Sequence, residues 1–152
     1  ADYIVFMAYD QNGSSSTTPG TNSGYDWICA NLDKFLGQEG VESEKIILGL
    51  PFYMRVWEEN GDKVDKYILN MNKVDEVVPS DAEKIWDDNL KQYYVEFTDN
   101  GLLNRIWIED EESFRAKLSL IEQYNLAGAS YWAKGREPDS IWNVIAEVLN
   151  VE

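Results

Sequence analysis

Histidine is absent from the 152 residues, and cysteine occurs only once, at Cys29. Without an imidazole the chain can form neither a nucleophile paired with a histidine base nor most zinc sites. A single thiol has no partner for a disulfide within the chain. Any acid–base chemistry must therefore use carboxylates, tyrosine, lysine or arginine, and we expect no metal ion and no cofactor.

Basic residues are scarce: 13 lysines and arginines stand against 28 acidic residues, which gives a formal charge of −15. Negative charge of this size repels phosphate backbones and anionic lipid headgroups. No stretch reaches the roughly 18 consecutive apolar residues of a membrane span. We therefore expect neither nucleic acid nor a membrane as a partner, whereas a neutral or cationic ligand is compatible with the composition.

The start of the sequence lacks a basic segment followed by an apolar one, so from these residues we expect no targeting signal. An apolar run begins at the third residue, which is unusual because natural termini are mostly polar and frayed. From the sequence alone we expect an excised piece of a longer protein.

Three apolar runs are present, over Tyr3–Tyr9, Ile46–Tyr53 and Ala127–Trp132; the first two are rich in β-branched and aromatic side chains, and the third is small at its start and aromatic at its end. Continuous apolar runs of this length are typical of strands that are buried on both faces, as in parallel sheets. The sequence therefore predicts three fully buried parallel strands.

Helical spacing of apolar residues separates these runs. The first pattern comprises Ile28, Leu32, Phe35 and Leu36, the second Phe114, Leu118, Ile121 and Tyr124, and the third follows Pro138 with Ile141, Trp142, Ile145, Val148 and Leu149. Alternating strands and helices indicate right-handed βαβ units and an α/β fold.

The stretch from Arg55 to Ile108 breaks this alternation, with several turn signals and short aromatic runs. Asp99-Asn100-Gly101 between two such runs predicts a hairpin. We interpret the stretch as a small α+β insertion, which divides the chain into residues 1–54, 55–108 and 109–152.

Polar and aromatic side chains follow the predicted strands, where the functional groups of parallel α/β folds gather. They are Met7, Tyr9 and Asp10 after the first strand, Tyr53 and Arg55 after the second, and Tyr131, Trp132 and Lys134 after the third. Aromatic faces beside a carboxylate and a guanidinium suit a sugar. Two alternatives stay open: the aromatics close a core, or Arg55 and Asp10 form a structural ion pair.

Four of these segments, in order, resemble motifs of the family 18 glycoside hydrolases, the chitinases and their relatives. Met7-Ala8-Tyr9-Asp10 is similar to the end of the sixth barrel strand, and Leu48–Arg55 to the seventh, with Met54 where the family usually has glycine. Glu109-Asp110, followed by Ser113 and Lys117, resembles the start of the seventh helix. Gly128–Trp132 resembles the eighth strand, and its Ser-Tyr-Trp end is similar to the bacterial spore and cell-wall branch.

The resemblance implies a partial (β/α)8 TIM barrel, strands six to eight with their helices, carrying the α+β insertion. It also implies a substrate-assisted mechanism on N-acetylglucosamine glycans, chitin or peptidoglycan, in which the N-acetyl group attacks the anomeric carbon. By the same resemblance Tyr9 and Asp10 are catalytic: Tyr9 hydrogen-bonds the acetamido oxygen and Asp10 orients the sugar. Met7, Tyr53, Arg55 and Trp132 bind substrate, with Trp132 stacking beneath the sugar ring. An extracellular, cell-wall or spore location follows only from this likeness.

The family's general acid ends a D-x-x-D-x-D-x-E motif, and no such motif occurs in the sequence. We therefore expect the chain alone to be inactive, since it has no group to protonate the leaving oxygen. Two alternatives are a carbohydrate-binding, lectin-like relative and a stand-alone interaction domain. Exposed edges of a partial barrel would also allow self-association.

Overall fold

The computed structural model describes residues 1–150. In chain order the elements are β1 (Ile4–Met7), α1 (Tyr25–Gly37), β2 (Ile46–Pro51), β3 (Tyr53–Asn60), β4 (Lys63–Asn70), α2 (Val74–Val77), β5 (Lys84–Asp87), β6 (Gln92–Asp99), β7 (Leu102–Ile108), α3 (Glu111–Gln123), β8 (Gly128–Trp132) and α4 (Ser140–Leu149). Short 3-10 turns precede β2 and α2. The fold is mixed α/β, as the sequence predicts.

The three apolar runs form a parallel sheet in the order β1-β2-β8. The expectation that all three strands are fully buried is wrong, because only β2 is buried along most of its length. Tyr3 and Met7 are 63% and 62% exposed. Within residues 1–150, β1 and β8 each pair with β2 alone, so a sheet edge and a face of β1 stay open there. The predicted self-association through such edges stays a prediction.

The predicted helices are confirmed, and their apolar faces pack on the parallel sheet and on each other. On α1 the inward side chains are Ile28 and Leu32, on α3 Phe114 and Leu118, and on α4 Ile141 and Ile145. Asp110 caps α3 in a reciprocal box with Ser113, so that helix begins directly after β7. None of the helices in residues 1–150 has the length and apolarity needed to cross a membrane.

A five-stranded antiparallel sheet in the order β4-β3-β7-β6-β5 lies between β2 and α3 in the chain. The predicted hairpin joins β6 to β7, and Asn100 and Gly101 adopt the positive φ values, 49° and 79°, that such a tight turn requires. Both sheets contribute to one hydrophobic core, which includes Leu48 of β2, Val56 of β3 and Ile106 of β7.

The predicted second strand, Ile46–Tyr53, is two strands in the structure. β2 ends at Pro51 and β3 begins at Tyr53. Phe52 lies between them: its N–H donates to Trp132 O at 2.7 Å, and its carbonyl accepts from Met71 N at 3.1 Å. Tyr53 and Arg55 therefore belong to the antiparallel sheet and not to the end of a parallel strand.

Candidate functional site

The predicted site residues gather at one edge of the molecule, where the parallel strands end. Tyr9 and Asp10 follow β1, and Trp132 is the last residue of β8. β3 starts directly beyond the end of β2 and brings Tyr53 and Arg55 to the same edge. The carboxyl ends of neighbouring parallel strands meet at one edge, which is why residues distant in sequence converge here.

Asp10 is the centre of the site. Its Oδ1 accepts two hydrogen bonds, from the Tyr53 hydroxyl at 2.8 Å and from Arg55 Nη2 at 2.7 Å. The Asp10 side chain is 49% exposed, whereas that of Arg55 is 8% exposed. Asp10 Oδ2 makes no hydrogen bond within residues 1–150. The ion pair left open by the sequence is therefore formed, and it leaves one carboxylate oxygen for a ligand.

The backbone of Asp10 is held in the left-handed region at φ 59°. This conformation is uncommon for a residue other than glycine, so it needs support from its surroundings. Asn22 supplies it: Asn22 Oδ1 accepts from Asp10 N at 3.1 Å, and Asn22 Nδ2 donates to Tyr53 O at 3.0 Å. Asn22 is 1% exposed. The sequence analysis missed this residue, because one asparagine in a polar loop carries no distinguishing pattern.

The hydroxyl groups of Tyr53 and Tyr9 remain protonated and can donate hydrogen bonds. Burial, then the hydrogen bond and charge of Asp10, raise the pKa of Tyr53. Burial and the Asp10 charge also raise the pKa of Tyr9. The two rings meet edge to face with centroids 6.2 Å apart. Arg136, which the sequence analysis also missed, places its guanidinium 5.7 Å from the Tyr53 ring centroid, within cation–π range.

Unpaired polar groups and exposed apolar groups meet at this edge. Arg55 Nε is buried there without an acceptor among residues 1–150. The Tyr9 hydroxyl makes no hydrogen bond within the same residues. Met7 and Trp132 are 62% and 56% exposed, so neither closes a core. Hydrogen-bonding groups can bind sugar hydroxyls, and an exposed indole can stack on the apolar face of a pyranose ring. No cluster of three or more acidic, cysteine or histidine side chains suited to a metal occurs in the described part of the chain.

The family model for glycosyl hydrolases family 18 matches residues 1–137. The uncharacterized glycosylase YvbX of Bacillus subtilis is 26% identical over 95% of this chain and 42% of its own length. The cortical fragment-lytic enzyme of Bacillus anthracis is 31% identical over 99% of this chain and 35% of its own length.

The fold has a match among solved structures. The crystal structure of a chitinase from Chromobacterium violaceum superposes with a TM-score of 0.84 at 27% identity, over 100% of this chain and 47% of that one. The chain thus spans less than half of the length of each of these proteins. Because the family model covers most of its residues, the chain belongs to glycosyl hydrolases family 18.

Proposed function

We propose that this chain is the C-terminal part of a glycoside hydrolase that cleaves β-linked N-acetylglucosamine glycans, chitin or peptidoglycan, by substrate-assisted retention. The observation that carries the proposal is the Asp10 carboxylate, which Tyr53 and Arg55 fix through Oδ1 and which keeps Oδ2 free, while the Tyr9 ring packs edge to face on Tyr53. The relatives include a chitinase and a cortical fragment-lytic enzyme, and both support this substrate class.

The roles follow from what each group can donate or accept. Tyr9 donates its free hydroxyl to the acetamido oxygen and holds that oxygen against the anomeric carbon. Asp10 accepts a hydrogen bond from the sugar through Oδ2. A single oriented donor such as the Tyr9 hydroxyl lowers the activation free energy by about 2 to 4 kcal/mol. Arg55 and Tyr53 fix Asp10 and reach neighbouring hydroxyls, and Met7 and Trp132 supply the apolar floor.

The architecture in this proposal is part of a (β/α)8 barrel. β1, β2 and β8 correspond to barrel strands six to eight, and the antiparallel sheet is an α+β insertion between the seventh strand and its helix. The division into residues 1–54, 55–108 and 109–152 belongs to the same proposal. Less than half of each compared protein's length is spanned, which supports this placement within a longer barrel.

The sequence has no D-x-x-D-x-D-x-E motif, so the chain alone has no assigned group to protonate the leaving oxygen. We propose that it binds glycan without hydrolysing it, and that it works outside the cytoplasm, at a cell wall or spore. One alternative is a lectin-like relative of the family that binds sugar without catalysis; it requires that the full-length protein lack the glutamate of that motif.

Calorimetric titration with the β-1,4-linked trisaccharide of N-acetylglucosamine tests the proposal. We expect saturable binding, and at least tenfold weaker binding for Trp132→Ala, which corresponds to about 1.4 kcal/mol. Cellotriose, which lacks the acetamido group, should bind much more weakly. The matched control is Trp86→Ala, on the edge strand β5 of the other sheet, which should bind like the unmodified protein. Absent binding, or equal binding by Trp132→Ala, contradicts the assignment of the site.

A further inference from the structure

A chain of buried polar side chains runs from α3 to the loop that follows β1. Lys117 Nζ lies 2.6 and 2.8 Å from the two carboxylate oxygens of Glu109. Gln92 Nε2 donates to Glu109 Oε1 at 2.8 Å, and the Thr21 hydroxyl donates to Gln92 Oε1. Lys117 and Gln92 are 0% exposed, Glu109 is 1% and Thr21 is 4%. None of these four side chains contacts Asp10, Tyr53 or Arg55 through a hydrogen bond within the described residues.

The negative charge of the Glu109 carboxylate determines which group donates in each hydrogen bond from Glu109 through Gln92 to Thr21. Glu109 is surrounded by donors, since Ser113 Oγ donates to its other oxygen at 2.9 Å. An ionised carboxylate only accepts, so the Gln92 amide must turn its NH2 group toward Glu109 and its oxygen toward Thr21. The Thr21 hydroxyl then donates to that oxygen and keeps a lone pair for Ser23 N, which lies at 3.2 Å.

Residues 21–23 connect these buried hydrogen bonds to Asp10 and Tyr53. Thr21 and Ser23 are the fixed ends of this segment, since the Ser23 hydroxyl also donates to Ala8 O at 2.6 Å. Asn22, between them, accepts from Asp10 N and donates to Tyr53 O. The left-handed backbone of Asp10 is thus hydrogen-bonded to a residue whose two neighbours are themselves held, Thr21 by Gln92 and Ser23 by Ala8 O. Gln92 and Thr21 stand at one end of this connection and are not among the proposed sugar-binding side chains.

We propose that Glu109 and Lys117 are positioning residues for the glycan site: through Gln92 and Thr21 they orient the 21–23 segment, and with it Asp10. This inference rests on the proposed function for its consequence in sugar binding, but its structural half, the coupling to Asp10, does not. Stability alone gives no reason for such a pair, because well-packed apolar residues replace buried ion pairs with equal or better stability in several proteins.

The test breaks the link at Thr21, which is in neither the ion pair nor the sugar-binding group. Thr21→Val keeps the shape and removes the hydroxyl, while Thr21→Ser keeps the hydroxyl. Thr98→Val, at an exposed position of β6, is the matched control. Amide hydrogen exchange of Asp10 and affinity for the N-acetylglucosamine trisaccharide are measured for each. We expect at least tenfold faster Asp10 exchange and at least fivefold weaker binding in Thr21→Val only.

A merely structural network predicts a different result: Thr21→Val lowers the urea midpoint but leaves the exchange of Asp10, relative to global unfolding, and the trisaccharide affinity unchanged. That outcome overturns the inference. If the unmodified protein does not bind the trisaccharide, the proposed function fails, and the exchange of Asp10 still decides the coupling. Gln92→Met breaks the same link from its other end and replaces Thr21→Val if that variant does not fold.

Discussion

Replacing Lys117 with methionine tests the burial of its ion pair with Glu109 directly. Lys117 is 0% exposed and Glu109 is 1% exposed, so the substitution leaves a carboxylate that water cannot reach. Gln92 and Ser113 still donate to that carboxylate, but no cation replaces the ammonium group. Removal of one partner of a buried pair costs about 3 to 5 kcal/mol. We expect a loss of this size in the free energy of unfolding at pH 7.

The loss should depend on pH with a definite sign. Burial raises the pKa of Glu109, while the charge of Lys117 and the hydrogen bond from Ser113 oppose that rise. In Lys117→Met the larger opposing influence is gone, so the folded pKa lies further above the unfolded value of about 4.3. A raised carboxyl pKa means that the folded state holds the proton more tightly than the unfolded chain. The deficit therefore grows as pH rises through the folded pKa and shrinks as pH falls toward 4.

Urea unfolding followed by tryptophan fluorescence at pH 5 and pH 7.5 measures both effects. Lys34→Met, at an exposed position of α1, is the control for loss of a lysine and should change stability by less than about 0.5 kcal/mol. The double variant Glu109→Gln/Lys117→Met removes both charges and should recover most of the deficit. A deficit below about 1 kcal/mol for Lys117→Met, or one that is the same at both pH values, would refute the reasoning.

Two further predictions concern groups outside this pair. Burial raises the pKa of Tyr131 to about 12, and its buried hydroxyl has no partner among residues 1–150. Because the fold disfavours the phenolate, the free energy of unfolding should fall as pH rises above about 10. In Tyr131→Phe this free energy should fall less with pH, and at pH 7 it should be about 1 kcal/mol higher than in the unmodified protein. A Tyr131→Phe variant that is less stable at pH 7 would contradict this. Asp110→Ala removes a helix cap and should cost about 1 kcal/mol in thermal or urea unfolding, whereas Asp139→Ala, at an N-cap that makes no side-chain hydrogen bond, should cost less than half of that; equal costs would contradict the cap assignment.

The order of strands and helices was predictable because apolar periodicity reports it directly. The exposure of β1 was not, although its run from Tyr3 to Tyr9 is among the most apolar of the sequence. An apolar sequence indicates that a strand can be buried, but it does not show whether another strand or helix covers it. In the described part of the chain β2 has a partner strand on each side, while β1 has one neighbouring strand, β2. Their burial therefore differs although their sequences predict the same environment.

The break between β2 and β3 was hidden for a related reason. Ile46 to Tyr53 is an uninterrupted apolar run in which only Pro51, which has no backbone N–H to donate, marks where the strand ends. The chain leaves the parallel sheet because Phe52 is bonded to residues far away in the sequence, Trp132 and Met71. Long-range hydrogen bonds of this kind override local propensity and are not visible in a single sequence.

The sequence supplied the charged and aromatic members of the site but not the residues that hold them. Asp10, Tyr53 and Arg55 stand out because strand ends in parallel folds carry function. Asn22 and Arg136 lie in segments without periodic pattern, and their contacts to Asp10 and Tyr53 exist only after the loops close. A polar residue in a loop becomes informative when its partners are known.

The alternation of β3 explains how Met54 can stand where the family usually has glycine. Successive side chains of a strand point to opposite faces. Met54 and Val56 belong to the hydrophobic core and are 0% exposed, while Tyr53 and Arg55 reach Asp10 on the other face. Trp57, on the face of Tyr53 and Arg55, donates its indole N–H to Gly20 O at 2.9 Å and so fixes the loop before Asn22. Met54 thus packs β3 against the hydrophobic core on the face opposite to Asp10. The side chains that face Asp10 therefore belong to a strand that the core holds in place, and not to a flexible loop.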